Sequence, residues 1–133
     1  MQTRYCYLHD SKHRRHIAIA REYEKQNSLV TFAMSISHPS DKFTKKLGRE
    51  IATNRLRSNK GFTIHVPVGM TPIQSIMAFL AWSKDSRVPM CASKMADDWF
   101  EMDLQTTMQM KLTLNQFIEA IQEQRIELVH HPV

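Results

Sequence analysis

Hydrophobic and polar positions alternate with period two over the first forty residues, and that period predicts strands. In Tyr5 to Leu8 the tyrosines take one face while Cys6 and Leu8 take the other. Ile17, Ile19 and Tyr23 share a face, as do Val30, Phe32, Met34 and Ile36 on the next run. His9 to Arg15 is polar enough for the first turn, and Lys25 to Ser28 suits a hairpin. The prediction is a three-stranded antiparallel meander.

After His38-Pro39-Ser40-Asp41 the period changes, and Ser40 or Asp41 is placed to cap a helix start. Phe43, Leu47 and Ile51 follow at i, i+4 and i+8 and define an inward stripe, with Lys42, Lys45, Lys46 and Arg49 on roughly the opposite arc. Leu56 is out of phase with that stripe, so the helix should bend or end there. Asn59-Lys60-Gly61 punctuates the chain before Phe62, Ile64 and Val66 alternate as a fourth strand. Thr71-Pro72 combines a cap with a first-turn proline, and Ile73, Ile76, Met77 and Leu80 mark a second helix.

In the C-terminal half, Val88-Pro89 reads as loop. Met95, Trp99 and Met102 predict a helix over Ser93 to Leu104, with Asp97, Asp98 and Glu101 outward. Met108, Met110 and Leu112 alternate as a short fifth strand, and Thr113 to Gln116 is a capping box opening a last helix through Leu128. Trp82, Trp99 and most of the nine methionines sit at core-filling phases. The expected class is α/β (α+β) in a single domain over 1–133: β-rich 1–38, basic helix 40–57, strand 61–68 and a helical half over 71–128. Small residues line the second face of the meander, namely Ala18, Ala20, Thr31, Ala33 and Ser35, leaving room for a C-terminal helix or a partner.

Charge adds a location. Asp41 to Lys60 holds seven Lys or Arg against two acids, which equals the net charge of +5 of the whole 133-residue chain. The remainder sums to zero, so the basicity is confined to one segment. Such a surface attracts polyanions and fits nucleic acid or an acidic protein or ribonucleoprotein as partner. The anchors are Lys42, Lys45, Lys46, Arg49, Arg55, Arg57 and Lys60, joined by Lys12, Arg14 and Arg15 if the first turn lies alongside. With no zinc-finger spacing or ribonucleoprotein aromatic motif, the binding argued from these residues is led by phosphates.

Other chemistry is less well supported. Cys6, His9, His13 and His16 have the residue types of a zinc site, but a strand-turn-strand arrangement and the neighbouring Lys12, Arg14 and Arg15 oppose it. No nucleophile elbow, HExxH or P-loop occurs, so neither metal, cofactor nor catalysis is expected. Cys6 and Cys91 read as free thiols of a reducing cytosol, and no apolar run is long enough for a signal peptide or membrane helix.

The element order is similar to that of the ribonuclease H-like fold. That resemblance implies two metals held by carboxylates on the first strand, first helix and end of the fourth strand. Asp10 and Glu50 match the first two places, but His65-Val66-Pro67-Val68-Gly69 offers no third. The run Asp41 to Leu56, of type D-x-F-x-x-K-x-G-R-x-I-A-x-x-R-L, resembles a segment of uncharacterised small bacteriophage and mobile-element proteins. It implies a host-cytoplasmic setting in which such proteins bind nucleic acid or inhibit a host or rival complex, such as a defence effector.

Overall fold

The computed structural model describes residues 2–10, 12–38, 40, 42–101 and 119. The fifth strand, the capping box at Thr113 and the last helix therefore lie outside the described residues. So do Asp41 as a cap and Met102, Asp103 and Leu104 at the end of the third helix. The elements run β1 (Thr3–Asp10), β2 (Arg15–Glu24), β3 (Leu29–Ile36), α1 (Lys45–Arg57), β4 (Phe62–His65), α2 (Pro72–Trp82) and α3 (Met90–Glu101). The strands form one antiparallel sheet in the order β1-β2-β3-β4, so the fold class is the expected α+β. By their internal contacts, residues Met1–Thr63 and Ile64–Val133 form two compact units.

The meander is longer at its first turn than the alternation suggested. His9 pairs with His16 and Asp10 with Arg15, so these polar residues extend the ladder that the sequence assigned to a turn. Asp10 stabilises the tighter connection. Its Oδ1 accepts from the N–H of Lys12 and of His13, and its Oδ2 contacts the His13 ring at 2.7 Å. The second connection is a single 3-10 turn, Lys25–Asn27, closed by Ser28 in the left-handed region.

One sheet face carries large apolar side chains. Leu8, Ile17, Ile19, Val30, Phe32 and Met34 are all buried. The opposite face is built of small ones, and α1 lies on it. Gly48, Ala52 and Leu56 are the buried line of the helix, and Ala52 and Leu56 cluster with Ala20 and Ala33 against Tyr5. Small side chains on both surfaces let the helix backbone come close. A Cβ at Gly48 would meet the Ala18 Cβ at 3.0 Å, while Ser35 Oγ donates to the Gly48 carbonyl at 3.0 Å.

Three sequence expectations are corrected by this packing. The inward stripe is 48, 52, 56, one position later than Phe43, Leu47 and Ile51, and Leu47 is 52% exposed. Leu56, expected out of phase, is a core residue. The basic helix itself covers the small-residue face that was reserved for a C-terminal helix or a partner. A fourth correction concerns the cap: Thr44 accepts from the Leu47 N–H at 3.2 Å, and Ser40 instead contacts the His38 ring. The helix starts at Lys45, which removes Lys42 and Phe43 from it.

β4 ends at His65, short of the expected 61–68, with Val66 buried just beyond it. Phe62 stacks on Phe32 with centroids 5.2 Å apart. In the second unit, α2 begins as expected: Thr71 and Gln74 form a capping box with Pro72 in the first turn. α3 begins at Met90, three residues before the expected Ser93, directly after Pro89. The two helices pack on each other, and Ile76, Met77, Leu80, Met95 and Phe100 on them are buried. Trp82 and Trp99 are half-buried against the Phe100 ring, one stacked and one edge-on. Asp97 and Asp98 point outward as their phase required.

Candidate functional site

The basic residues of Asp41 to Lys60 do not form the single arc that the periodicity suggested. At about 100° per residue, a buried line through 48, 52 and 56 places Lys45 and Arg49 on the flank facing β1 and Arg55 on the other flank. The solvent pole then carries Leu47, Glu50 and Asn54.

Two of the arginines are committed to holding the helix. Arg49 donates to the Tyr7 hydroxyl at 3.1 Å, and this hydrogen bond holds the guanidinium above its usual range. Arg55 donates to the Met34 carbonyl of β3 at 2.8 Å. One turn along the β1 flank, Tyr5 and Thr53 share a hydroxyl contact of 2.8 Å. Lys45 sits 4.9 Å from the centroid of the Tyr7 ring, within cation-π range. The tyrosines on the edge strand thus clamp α1 from one side and the Arg55 bond from the other.

The remaining cations are displayed. Lys42, Lys46, Arg57 and Lys60 are exposed, with Lys42 before the helix and Lys60 beyond its C-terminus. Among the described residues, no salt bridge engages any Lys or Arg of the segment, whereas His13 contacts Asp10 and Arg87 pairs with Asp85. Among the described residues, the lysines and arginines of α1 are thus outside salt-bridge contact with a carboxylate, while Glu50 acts on Arg49 through space.

Lys12 and Arg14 lie at the end of the sheet where Phe43 packs, whereas Arg15, next to His16 on β2, projects from the opposite sheet face. His9 stacks on His16 at 4.1 Å, and His16 stacks on Phe43 at 4.3 Å with planes 3° apart. Arg15 is one rung beyond His16, so the β1-β2 turn and Lys42 meet at the same end of the sheet. Lys12 and Arg14 are exposed there, while Arg15 is half-buried with its Nε lacking a hydrogen-bond partner among the described residues. Burial, helped by His9, holds the His16 imidazole below its usual range.

Sequence periodicity missed a cleft of about 340 Å³ between the end of β3 and the N-terminal half of α1. Its apolar side chains on the helix side are Phe43, Leu47 and Ile51, and Lys42 and Arg55 also line it. These three apolar residues were the expected core stripe. The signal available in the sequence was Gly48 and Ala52, whose small size takes the buried position and turns the larger residues toward the cleft.

Asp10 is engaged by His13 and the turn N–H groups, which lower its carboxyl range, and Glu50 lies at the solvent pole of α1. Cys6 and His9 project from opposite faces of β1 because strand side chains alternate. Among the described residues no group of three or more His, Cys, Asp or Glu is placed to hold a metal ion. Burial raises the Cys6 thiol, with Arg21 beside it acting in the opposite sense. None of the described helices is long and apolar enough to cross a membrane. Comparison with protein-family models, curated proteins and solved structures returns no match.

Proposed function

We propose that this chain is a non-enzymatic binding protein whose α1 surface holds the phosphate backbone of a nucleic acid. The observation that carries this reading is the exposure of Lys42, Lys45, Lys46, Arg57 and Lys60 without an ion pair among the described residues, extended by Lys12 and Arg14. Phosphate contacts of this kind release counterions, so affinity falls steeply with salt. The phage or mobile-element setting implied by Asp41 to Leu56 fits a small protein acting on a host's or rival's nucleic acid in the cytoplasm. A gel shift with single- and double-stranded DNA and RNA at about 50 mM salt is the test, and no binding there ends the proposal.

A second reading is favoured by the cleft: an inhibitor or adaptor that docks the same surface on an acidic protein, with an apolar side chain seated between Phe43 and Leu47. Interfaces of that type combine a buried apolar centre with a charged rim. Retention of a protein from nuclease-treated lysate, lost in Leu47→Asp, supports it over the first.

A further inference from the structure

We infer that the cleft beside α1 takes one unstacked nucleobase, so that the nucleic acid held by this surface is single-stranded. The inference rests on the phosphate-binding reading of α1 and adds the form of the ligand. Three observations lead to it. The His9, His16 and Phe43 rings form a column with planes 10° and 3° apart, and its last ring, Phe43, borders the cleft. A stack of flat rings ending at an open space is the arrangement to which another flat ring adds.

The cleft volume, about 340 Å³, lies at the small end of ligand sites, and its lining mixes apolar Phe43, Leu47 and Ile51 with the hydroxyl residues Ser35, Ser37 and Thr44, as base pockets mix apolar walls with polar groups. The groups at its rim are donors and cations, Lys42 and the N–H groups of Arg55 not used on Met34. They complement base-edge acceptors and the flanking phosphates. Lys42 supplies the cation at the cleft itself, whereas Lys45 and Lys46 lie across the helix, toward the β1 flank. A base paired and stacked within a duplex does not reach such a cleft; an unpaired one does.

The test uses an oligonucleotide of about 15 nucleotides carrying one 2-aminopurine, alone and annealed to its complement, titrated into the full chain at fixed low salt. The single strand is expected to bind more tightly than the duplex, with 2-aminopurine fluorescence quenched on binding. Phe43→Leu keeps an apolar side chain and removes the stack. It should lower single-strand affinity by about 5- to 150-fold, the range stacking supplies, while duplex affinity and the salt slope stay unchanged. Leu47→Gln replaces an exposed wall residue without changing charge and should reduce the preference in the same direction.

Equal affinity for the two forms, unquenched fluorescence, or a single-strand preference that survives both substitutions overturns the base site and leaves phosphate binding standing. Binding of neither form removes the phosphate-binding reading and the base site together.

Discussion

At the scale of single residues, two glycines and a histidine carry the most consequence. Gly61 lies so close to β3 that a Cβ there would overlap the Phe32 carbonyl oxygen, which fixes the entry to β4. Gly48 sets the approach of α1, because a Cβ would press on Ala18 at 3.0 Å and Phe43 at 3.1 Å. Ala18 is fully buried on a central strand and has no room to yield. Gly48→Val is therefore expected to lower stability by about 1–3 kcal/mol through overpacking, read as a drop in the denaturant midpoint. An unchanged midpoint would mean the helix stands further from the sheet. His16 makes stability depend on pH. Its folded pKa is lowered by burial and by His9, so the unfolded chain binds more protons in the window just below the ordinary histidine range. The stability held at neutral pH is then lost as pH falls through about 6.5 toward the folded value. His16→Phe keeps a ring in the column and should flatten that part of the curve in unfolding experiments at a series of pH values. A wild-type curve that rises on acidification over this window contradicts the assignment.

At the scale of elements, α1 shows where the sequence was legible and where it was not. The meander could be read because large apolar residues alternate on one face of β2 and β3, and α2 could be read because Thr71, Pro72 and Gln74 are a local start signal that needs no tertiary context. The phase of α1 could not be read in that way. Large residues at 43, 47 and 51 outweigh Gly48 and Ala52 in any hydrophobic pattern, yet a sheet face of Ala18, Ala20, Ala33 and Ser35 accepts the smaller line. The choice belongs to both surfaces at once, and periodicity sees only one. The same packing gives the residues of Asp41 to Leu56 their roles: Gly48, Ala52 and Leu56 seat the helix, while Arg49 and Arg55 tie its flanks to Tyr7 and Met34. Those positions specify how the helix sits, and the displayed lysines mostly fall between them. Leu56→Ala should accordingly cost about 2–5 kcal/mol, as for a buried leucine, whereas Leu47→Ala should stay within about 0.5 kcal/mol. Chemical denaturation of the two variants separates the observed phase from the one the pattern suggested, since the earlier phase reverses the order.

At the scale of the whole molecule, charge is divided unevenly along the chain. Residues 1–60 hold thirteen bases and five acids, and residues 61–133 hold five and eight. The first unit is strongly basic and the second mildly acidic, so the net charge understates the field that a polyanion meets near α1. Not all of that charge is available for binding. Arg49 and Arg55 already donate to Tyr7 and Met34, and removing either leaves a buried or half-buried partner without its donor, a loss of about 0.5–1.5 kcal/mol per hydrogen bond. Lys46 and Arg57 are exposed and make no ion pair among the described residues, so their removal should leave stability within about 0.5 kcal/mol. Binding should respond in the opposite order. If Lys46 and Arg57 each neutralise a phosphate, the Lys46→Ala, Arg57→Ala double variant lowers the slope of log K against log salt by about 1.4 on a single strand, at about 0.7 per contact. Arg49→Ala should lower the melting temperature with a smaller change in that slope. Salt titrations of nucleic-acid affinity, run beside thermal melts of the same variants, decide the matter. A double variant that melts early and binds with an unaltered slope would assign these cations to the fold and take phosphate binding away from α1.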